Sequence, residues 1–275
     1  MSSMHHDQAA GLRRMMTGHQ PKIVSVLSAI PQQQSSLITN LAASIGTQDC
    51  DVLVIHTAQT AKVDMSQYGI KGLPTLTDVA QKKLELGQSV KDSKLGFLVA
   101  KLYPSPLQTT KNYDVANIAL NKTVERLSSL FEVILVDTAL DKDHQLPLAM
   151  LNQHDILIQL SCDAESIKEA YSLIKRIYSN IGRRSFGIIV NDATDAQAAK
   201  AFRNISQVAR NHMQVELEFF GAIPSDEYLS RAAKLGRAVI DAFPATQAAK
   251  AFKSVAQRLN YKHHHTTESA LVSLI

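Results

Sequence analysis

The sequence predicts a three-layer α/β fold, in which a mostly parallel sheet carries helices on both faces. Three observations predict it. Short runs rich in β-branched residues and leucine recur along the chain, each run is nearly continuous in apolar residues, and amphipathic stretches of helical length separate the runs. Alternation of this kind is typical of crossover units, in which a helix returns the chain to the next parallel strand.

Six runs are predicted to be buried strands, because their apolar residues do not alternate with polar ones. They are residues 23–30, 52–55, 95–100, 133–136, 156–160 and 186–190. Six segments have the spacing of amphipathic helices: 35–45, 112–130, 164–181, 195–211, 225–235 and 246–259. In an open parallel sheet ligands bind beyond the carboxyl ends of the strands, so the residues that follow each run are the candidates for a site.

Composition is that of a globular chain, with 45% hydrophobic and 20% charged residues among 275. The formal charge is +4, but lysine and arginine are spread along the chain, which does not favour a nucleic-acid footprint. Cys50 and Cys162 are too few for a disulfide framework and lack metal-ligand spacing, so we expect small core residues in a reducing compartment. With no secretory or membrane-spanning pattern, a cytoplasmic protein is expected.

The chain divides into a segment 1–20, an α/β domain 21–260 and a tail 261–275. In the first segment Asp7 can cap a short amphipathic helix, 8–16, which Gly18 and Pro21 separate from the first strand. A partner-binding helix, a frayed terminus and a helix packed on its own domain all remain open from the residues alone. The tail carries His263, His264 and His265, a pattern more typical of a solvated tract than of a metal site.

The loop after the first strand lacks the residues that hold a nucleotide phosphate. Such a loop needs glycines that curl the backbone, a lysine for the phosphate charge and a Ser/Thr for magnesium. Residues 28–36 read SAIPQQQSS, with no glycine and no lysine, and Pro31 also removes an N–H donor. Ser35 or Ser36 is the one available hydroxyl, and we expect it to cap the helix that follows.

Polar residues at other strand ends are weaker signals. Asp137 follows an apolar strand in the form of a Walker B carboxylate, but without a phosphate loop a cap or a local hydrogen bond is favoured. His56 is expected to be structural, with titration as the alternative. Asn191 could contact a base or close a turn, and the sequence does not decide between the two.

Read together, these segments resemble the MinD/ParA family of deviant Walker-A ATPases, whose fold is of the P-loop NTPase type. Asn40-Leu41-Ala42 is similar to the NLA that follows the family's GKGGVGKT loop. The other motif matches are AESIKEAYSLIK at 164–175, FGAIPSD at 220–226 and the segment 239–244 that ends in proline. Counting back from the NLA places Ala29 at the signature lysine, Gln34 at the Walker lysine and Ser35 at the magnesium-binding hydroxyl.

The resemblance also assigns the remaining positions. His56 and Ala58 stand where the family has two aspartates, whereas Asp137 and Asn191 match its Walker B aspartate and base-contacting asparagine. A vestigial nucleotide site of Gln34, Ser35, Asp137 and Asn191 is therefore implied. Losing several charged phosphate contacts, each worth ~1.5–3 kcal/mol, would remove most nucleotide affinity. No catalytic residue, cofactor or metal ligand is expected, and ATP with Mg²⁺ enters only if the loop works in an unusual way.

The start of the chain matches the DQAxxLR helix of flagellar-number regulators of the FlhG (FleN) type. In those proteins the helix binds and stimulates the signal-recognition-type GTPase FlhF. The resemblance therefore implies an FlhF-like GTPase as partner, with the contact residues Asp7, Gln8, Ala9, Leu12, Arg13 and Arg14. The resemblance also implies other flagellar components and a second copy of the chain as further partners.

The function predicted is a non-hydrolysing regulator of flagellar number or placement. The tail is a poor membrane helix, because residues 263–267 are expected to interrupt it and SALVSLI is short, so membrane association is doubtful. Recruitment to a cell pole or to the inner membrane face stays open. Two alternatives also stay open: an active ATPase that uses an unusual loop, and a ParA-like partitioning protein that holds DNA.

Overall fold

The computed structural model describes residues 21–57, 68, 70, 72–104 and 113–272 and contains one eight-stranded sheet. The strands in chain order are β1 (Lys22–Ser28), β2 (Val52–His56), β3 (Val90–Asp92), β4 (Leu98–Lys101), β5 (Val133–Asp137), β6 (Asp155–Ser161), β7 (Phe186–Asn191) and β8 (Leu217–Ile223). Their order across the sheet is β3-β4-β2-β5-β1-β6-β7-β8, and every pairing is parallel except β3 with β4. The predicted mostly parallel sheet is confirmed.

Eight α-helices lie among the described residues. They are α1 (Pro31–Gly46), α2 (Leu76–Ala80), α3 (Tyr113–Ser128), α4 (Ala164–Ile181), α5 (Asp195–Met213), α6 (Glu227–Lys234), α7 (Val239–Ala242) and α8 (Gln247–Val272). Short 3₁₀ helices span Leu86–Ser89 and Ala149–Gln153. Of the helices within the described ranges, none combines the length and the apolar character that crossing a bilayer requires.

The helices cover both faces of the sheet, as predicted. Apolar side chains of α1, α6, α7 and α8 pack on one face, and those of α2, α3, α4 and α5 pack on the other. Strand β1 contributes to both cores, because Val24 and Val26 face one side while Ile23 and Leu27 face the other. Burial on both faces explains why the strands read as continuous apolar runs.

Local signals set several helix ends where the sequence predicts them. Helix α4 begins after Asp163, whose carboxylate accepts a hydrogen bond from Ser166 N at 2.8 Å. Helix α5 begins after Thr194, which forms a capping box with Gln197. Helix α7 is held against α1, because Asn40 Oδ1 accepts a hydrogen bond from Val239 N at 2.7 Å.

Other boundaries differ from the prediction. Helix α1 begins at Pro31, four residues before the predicted start, so neither Ser35 nor Ser36 is its N-cap. Proline is favoured in the first helical turn because its missing N–H has no acceptor there. Helix α8 continues to Val272, so the predicted end at residue 259 and the predicted interruption at 263–267 are wrong.

Two strands were not predicted from the sequence, and the expected burial of the cysteines also differs from the structure. Strand β3 is a three-residue antiparallel edge strand, and β8 is a parallel edge strand that the sequence analysis treated only as a motif. Both cysteines are free. Cys50 is half-buried and packs against the core, whereas Cys162 is exposed, so the expectation of a core residue is wrong for Cys162. Cys162 lies in the turn between β6 and α4, outside the apolar strand.

Candidate functional site

The carboxyl ends of the central strands form the candidate site. Strand β5 lies between β1 and β2, and in the parallel register Asp137 is the partner of both Val26 and His56. Strand β6 lies on the other side of β1, followed by β7, whose last residue is Asn191. The sheet order therefore brings the ends of β1, β2 and β5 together, with the end of β7 nearby.

Helix α1 begins where a phosphate-binding loop would lie. Its first residue, Pro31, has no N–H group. Ala29 N donates to Gln159 O at 2.8 Å, Ile30 N donates to Ser28 Oγ at 3.0 Å, and Gln33 N donates to Ile30 O at 2.9 Å. These three backbone donors are therefore engaged within the protein instead of pointing at a common centre.

The side chain of Gln34 closes the space beneath that turn. The two hydrogens of its Nε2 are shared among three acceptors: Asp137 Oδ1 at 2.8 Å, Thr138 O at 2.9 Å and Val26 O at 3.0 Å. The residue is 5% exposed. One amide group thus satisfies acceptors at the ends of β1 and β5, where desolvation without a donor would be costly.

His56 holds the other oxygen of the same carboxylate. Its Nδ1 lies 2.6 Å from Asp137 Oδ2, and the imidazole is fully buried. The ring of Tyr68 lies on one side, with its centroid 5.6 Å from that of His56. Among the described residues, His56 Nε2 has no hydrogen-bond partner. Asp137 is thus held from two sides, by an amide and by an imidazole.

A second set of contacts lies on the β7 side. Gln33 Nε2 donates to Asp192 Oδ2 at 2.6 Å, and Gln33 Oε1 accepts a hydrogen bond from Asn191 Nδ2 at 3.0 Å. Asp192 has a left-handed backbone with φ of 53°, which turns the chain sharply after β7. The amide of Asn191 is therefore committed to a glutamine from the first turn of α1.

The charges of this site are unlike those of a triphosphate site. The side chains that close it, from Gln33, Gln34, His56, Asp137, Asn191 and Asp192, include two carboxylates and no lysine or arginine. Within the described segments, no group of three or more His, Cys, Asp or Glu side chains is arranged to hold a metal ion. Phosphate sites supply cations and inward-pointing N–H groups, so the side chains named here do not fit a triphosphate.

A solvent-filled cleft of about 600 Å³ lies outside this closed site, between the first turn of α1 and helix α4. Pro31, Gln32, Lys168 and Arg176 are among its lining residues. The nearby Asp163 carboxylate caps α4 and accepts a hydrogen bond from Ser161 Oγ, which is the main cause of its lowered pKa. Partial desolvation, followed by the charge of Asp163, raises the pKa of the Cys162 thiol.

The structure brings some of the predicted site residues together. Gln34 and Asp137 are in direct contact, Asn191 reaches the site through Gln33, and Ser35 lies half-buried in α1. His56 is fully buried against Asp137, and the side-chain partners of Asp137, His56 and Gln34, lie far from it in the sequence, so the expected helix cap or local hydrogen bond is not what Asp137 makes. Ala29 lies in the turn before α1.

The other predicted positions lie outside the described residues. They are Ala58 and the proposed contact residues Asp7, Gln8, Ala9, Leu12, Arg13 and Arg14.

Sequence reasoning missed the part played by Gln33 and by the Ser28–Gln159 pair. Ser28 Oγ donates to Gln159 Oε1 at 2.8 Å while it accepts from Ile30 N, which fixes the turn before α1. The available signal was the run of three glutamines at 32–34. Glutamine side chains are long and end in a neutral amide. In place of glycines they can fill a cavity and hydrogen-bond to polar groups at the ends of the strands.

Comparison with known proteins identifies relatives over almost the whole chain. The antiactivator FleN of Pseudomonas aeruginosa is 26% identical over 262 residues, which cover 94% of this chain and 89% of FleN. The MinD cell division protein of Aquifex aeolicus superposes with a TM-score of 0.65 at 19% identity, covering 86% of this chain and 96% of that one.

A ParA family ATPase from Chlorobium tepidum gives a TM-score of 0.62 at 20% identity, over 87% of this chain and 98% of that chain. No protein-family model matches the chain. The solved structures thus share its fold, and FleN is similar in sequence over most of both chains.

Proposed function

Because the chain is a MinD/ParA-family protein similar to FleN, we propose that it regulates flagellar number or placement without hydrolysing ATP. In this proposal it acts by binding an FlhF-like GTPase through the helix that contains Asp7, Gln8, Ala9, Leu12, Arg13 and Arg14. The nucleotide switch of the family is replaced by a fixed set of side-chain contacts.

The observation that supports a non-hydrolysing protein is the position of Gln34. To admit a phosphate, the protein would have to break the contacts of Gln34 Nε2 and leave Thr138 O and one oxygen of Asp137 without that donor, while Val26 O keeps Thr138 N as a donor at 3.2 Å. Losing the amide costs about 1–3 kcal/mol in total when these groups stay buried. The incoming phosphate would also face the carboxylates of Asp137 and Asp192, with no lysine to offset them.

The same contacts favour partner binding that is independent of nucleotide. The ends of β2 and β5 are tied by the His56–Asp137 contact and by the hydrogen bond of 3.1 Å from Thr57 N to Asp137 O. The start of α1 is tied to β5 by Gln34. A ligand shifts a conformational equilibrium only when it binds two states with different affinity. With its site closed, we expect ATP to change neither the conformation nor the partner affinity.

The partner assignment rests on the similarity to FleN and on the chemistry of the N-terminal helix. Leu12 provides an apolar anchor, while Gln8 and Arg13 provide hydrogen-bond donors. Arginine combined with an apolar anchor is typical of residues that dominate protein–protein affinity. We propose that this helix contacts the GTPase close to its bound nucleotide and accelerates GTP turnover.

A GTPase assay tests this proposal. The full chain is mixed with the FlhF-like GTPase of the same cell, and GTP turnover is followed with wild-type protein and with the double variant Gln8→Ala/Arg13→Ala. We expect stimulation by the wild-type chain, with and without ATP, and loss of the stimulation with the double variant, because two polar contacts and one charge are removed.

The matched control is Gln32→Ala/Arg203→Ala, which removes the same two residue types at exposed positions on α1 and α5. It should stimulate like the wild type. Equal stimulation by all three proteins would refute the contact helix, and absence of stimulation by the wild type would refute the partner. DNA binding that is lost between ~50 and ~200 mM salt would instead favour the partitioning alternative.

A further inference from the structure

A second cleft, about 790 Å³ in volume, lies away from the closed site. Helix α2 and the following 3₁₀ helix, Leu86–Ser89, form one side, and the last turn of α3 forms the other. The lining residues are Val79, Lys82, Lys83, Leu84, Glu85, Leu86, Gly87, Gln88 and Arg126. We call it the α2–α3 cleft.

The α2–α3 cleft is positively charged. Its lining contains the cations Lys82, Lys83 and Arg126 and a single carboxylate, Glu85. Lys82 has a left-handed backbone with φ of 58°, which turns the chain at the end of α2 and places two lysines in succession on the rim. Within the described part of the chain, neither Lys82 nor Arg126 forms an ion pair.

The carboxylate of Asp78, which lies close to Lys83, is already committed. Asp78 Oδ2 accepts hydrogen bonds from Thr75 Oγ at 2.7 Å and from Thr75 N at 3.1 Å, which completes the capping box of α2. The Thr75 hydroxyl is the main cause of the lowered pKa of Asp78. Lys83 Nζ lies 3.7 Å from Asp78 Oδ1 and stays 63% exposed, so this pair neutralises little of the charge.

The shape of the cleft favours a segment of a macromolecule over a small molecule. Small-molecule sites bury most of their ligand, whereas all three cations here are exposed side chains at an open rim. Between them Val79, Leu84 and Leu86 are half-buried and provide an apolar floor. Among the described residues that line the cleft none is aromatic, so they provide no stacking platform of the kind typical of single-stranded nucleic-acid sites.

We propose that the α2–α3 cleft binds an acidic peptide segment of a partner protein, in which carboxylates alternate with aliphatic side chains. The carboxylates pair with Lys82, Lys83 and Arg126, and the aliphatic side chains contact the apolar floor. Recognition of acidic motifs by clusters of basic residues is a recurring mode of peptide binding. None of the residues that line this cleft belongs to the contact segment proposed above, so its test does not depend on that function.

Fluorescence polarisation with the full chain tests the proposal. The probe is a short fluorescein-labelled peptide of alternating glutamate and leucine, and a peptide of alternating lysine and leucine serves as the charge-reversed probe. We expect saturable binding of the acidic peptide only, weakening from about 0.05 M to about 0.5 M salt as exposed charges are screened. The variant Lys82→Ala/Arg126→Ala should weaken binding about tenfold, which corresponds to about 1.4 kcal/mol.

The matched control is Lys200→Ala/Lys250→Ala, which removes two exposed positive charges on α5 and α8. It should leave the affinity within about twofold, and unchanged thermal melting of both variants verifies folding. Equal weakening by the two variants would show attraction to overall charge and would overturn the proposal. So would no binding of the acidic peptide, or its displacement by low concentrations of inorganic phosphate, which would indicate a small-anion site.

Discussion

Gln34 shows how a single neutral side chain can replace a charged one at the end of a sheet. A lysine at this buried position would need phosphate oxygens and Asp137 to offset its charge. The glutamine amide donates to the same carboxylate and to two backbone carbonyls without bringing a charge into the site. It stabilises the closed arrangement in the absence of any ligand.

Removal of that amide should therefore destabilise the fold. We expect Gln34→Ala to lower the free energy of unfolding by about 1–3 kcal/mol, because three acceptors lose a donor. Gln34→Glu should cost more, since it places a second carboxylate against Asp137. Urea denaturation followed by circular dichroism measures both.

The control for these variants is Gln32→Ala, two residues earlier in the same helix, where the side chain is exposed. Its unfolding free energy should stay within about 0.5 kcal/mol of the wild type. If Gln34→Ala were as stable as Gln32→Ala, the contacts of Gln34 would not hold the site closed.

At the scale of the elements, helix α1 is the one that decides what the site can bind. By starting at Pro31 it converts the segment that would loop around a phosphate into a helical turn. The C-terminal end of α1 packs closely against a neighbouring loop. An ideal Cβ on Gly46, the last residue of α1, would lie 2.4 Å from Gly96 O in the loop before β4.

This close approach predicts that Gly46→Ala destabilises the protein by about 1–3 kcal/mol, because the clash is with backbone and cannot be relieved by a side-chain rotation. Thermal unfolding measures the effect. Gly87→Ala is the control, since a Cβ there has no atom within 4 Å. Equal melting temperatures of the two variants would contradict the packing of α1 against this loop.

Element boundaries also show what sequence reasoning can resolve. Helix α4 begins where predicted because Asp163 is its N-cap. Helix α5 does so because Thr194 is its N-cap and Asp195 lies in its first turn. At α1 two signals competed, since serine is a common N-cap and proline a common first residue, and the proline marks the true start. Strand β3 is too short to give a pattern, and Gly221 interrupts the apolar run of β8.

At the scale of the whole molecule, the alternation of short apolar runs with amphipathic segments was sufficient to predict the parallel sheet and its two helical layers. The loss of the loop glycines and lysines was also readable from residues 28–36. The contacts that close the site were not readable in this way. His56 reaches Asp137 only through the register of β2 and β5, and Gln34 reaches it only through the packing of α1 on the sheet, and no local pattern encodes either. The pairing of Gln33 with Asn191 likewise depends on the position of β7 across the sheet.

We expect this protein, with its MinD/ParA-type fold, to regulate its partner without a conformational change driven by nucleotide. A measurement of nucleotide binding tests this most directly. The purified protein is titrated with ATP and Mg²⁺ in a calorimeter, with an active MinD-type ATPase as the positive control in the same buffer. We expect no heat of binding from this chain at millimolar nucleotide, because Gln34, His56 and Asp137 occupy the site. A saturable signal near one ATP per chain would contradict the closed site and would establish that the family's nucleotide switch survives.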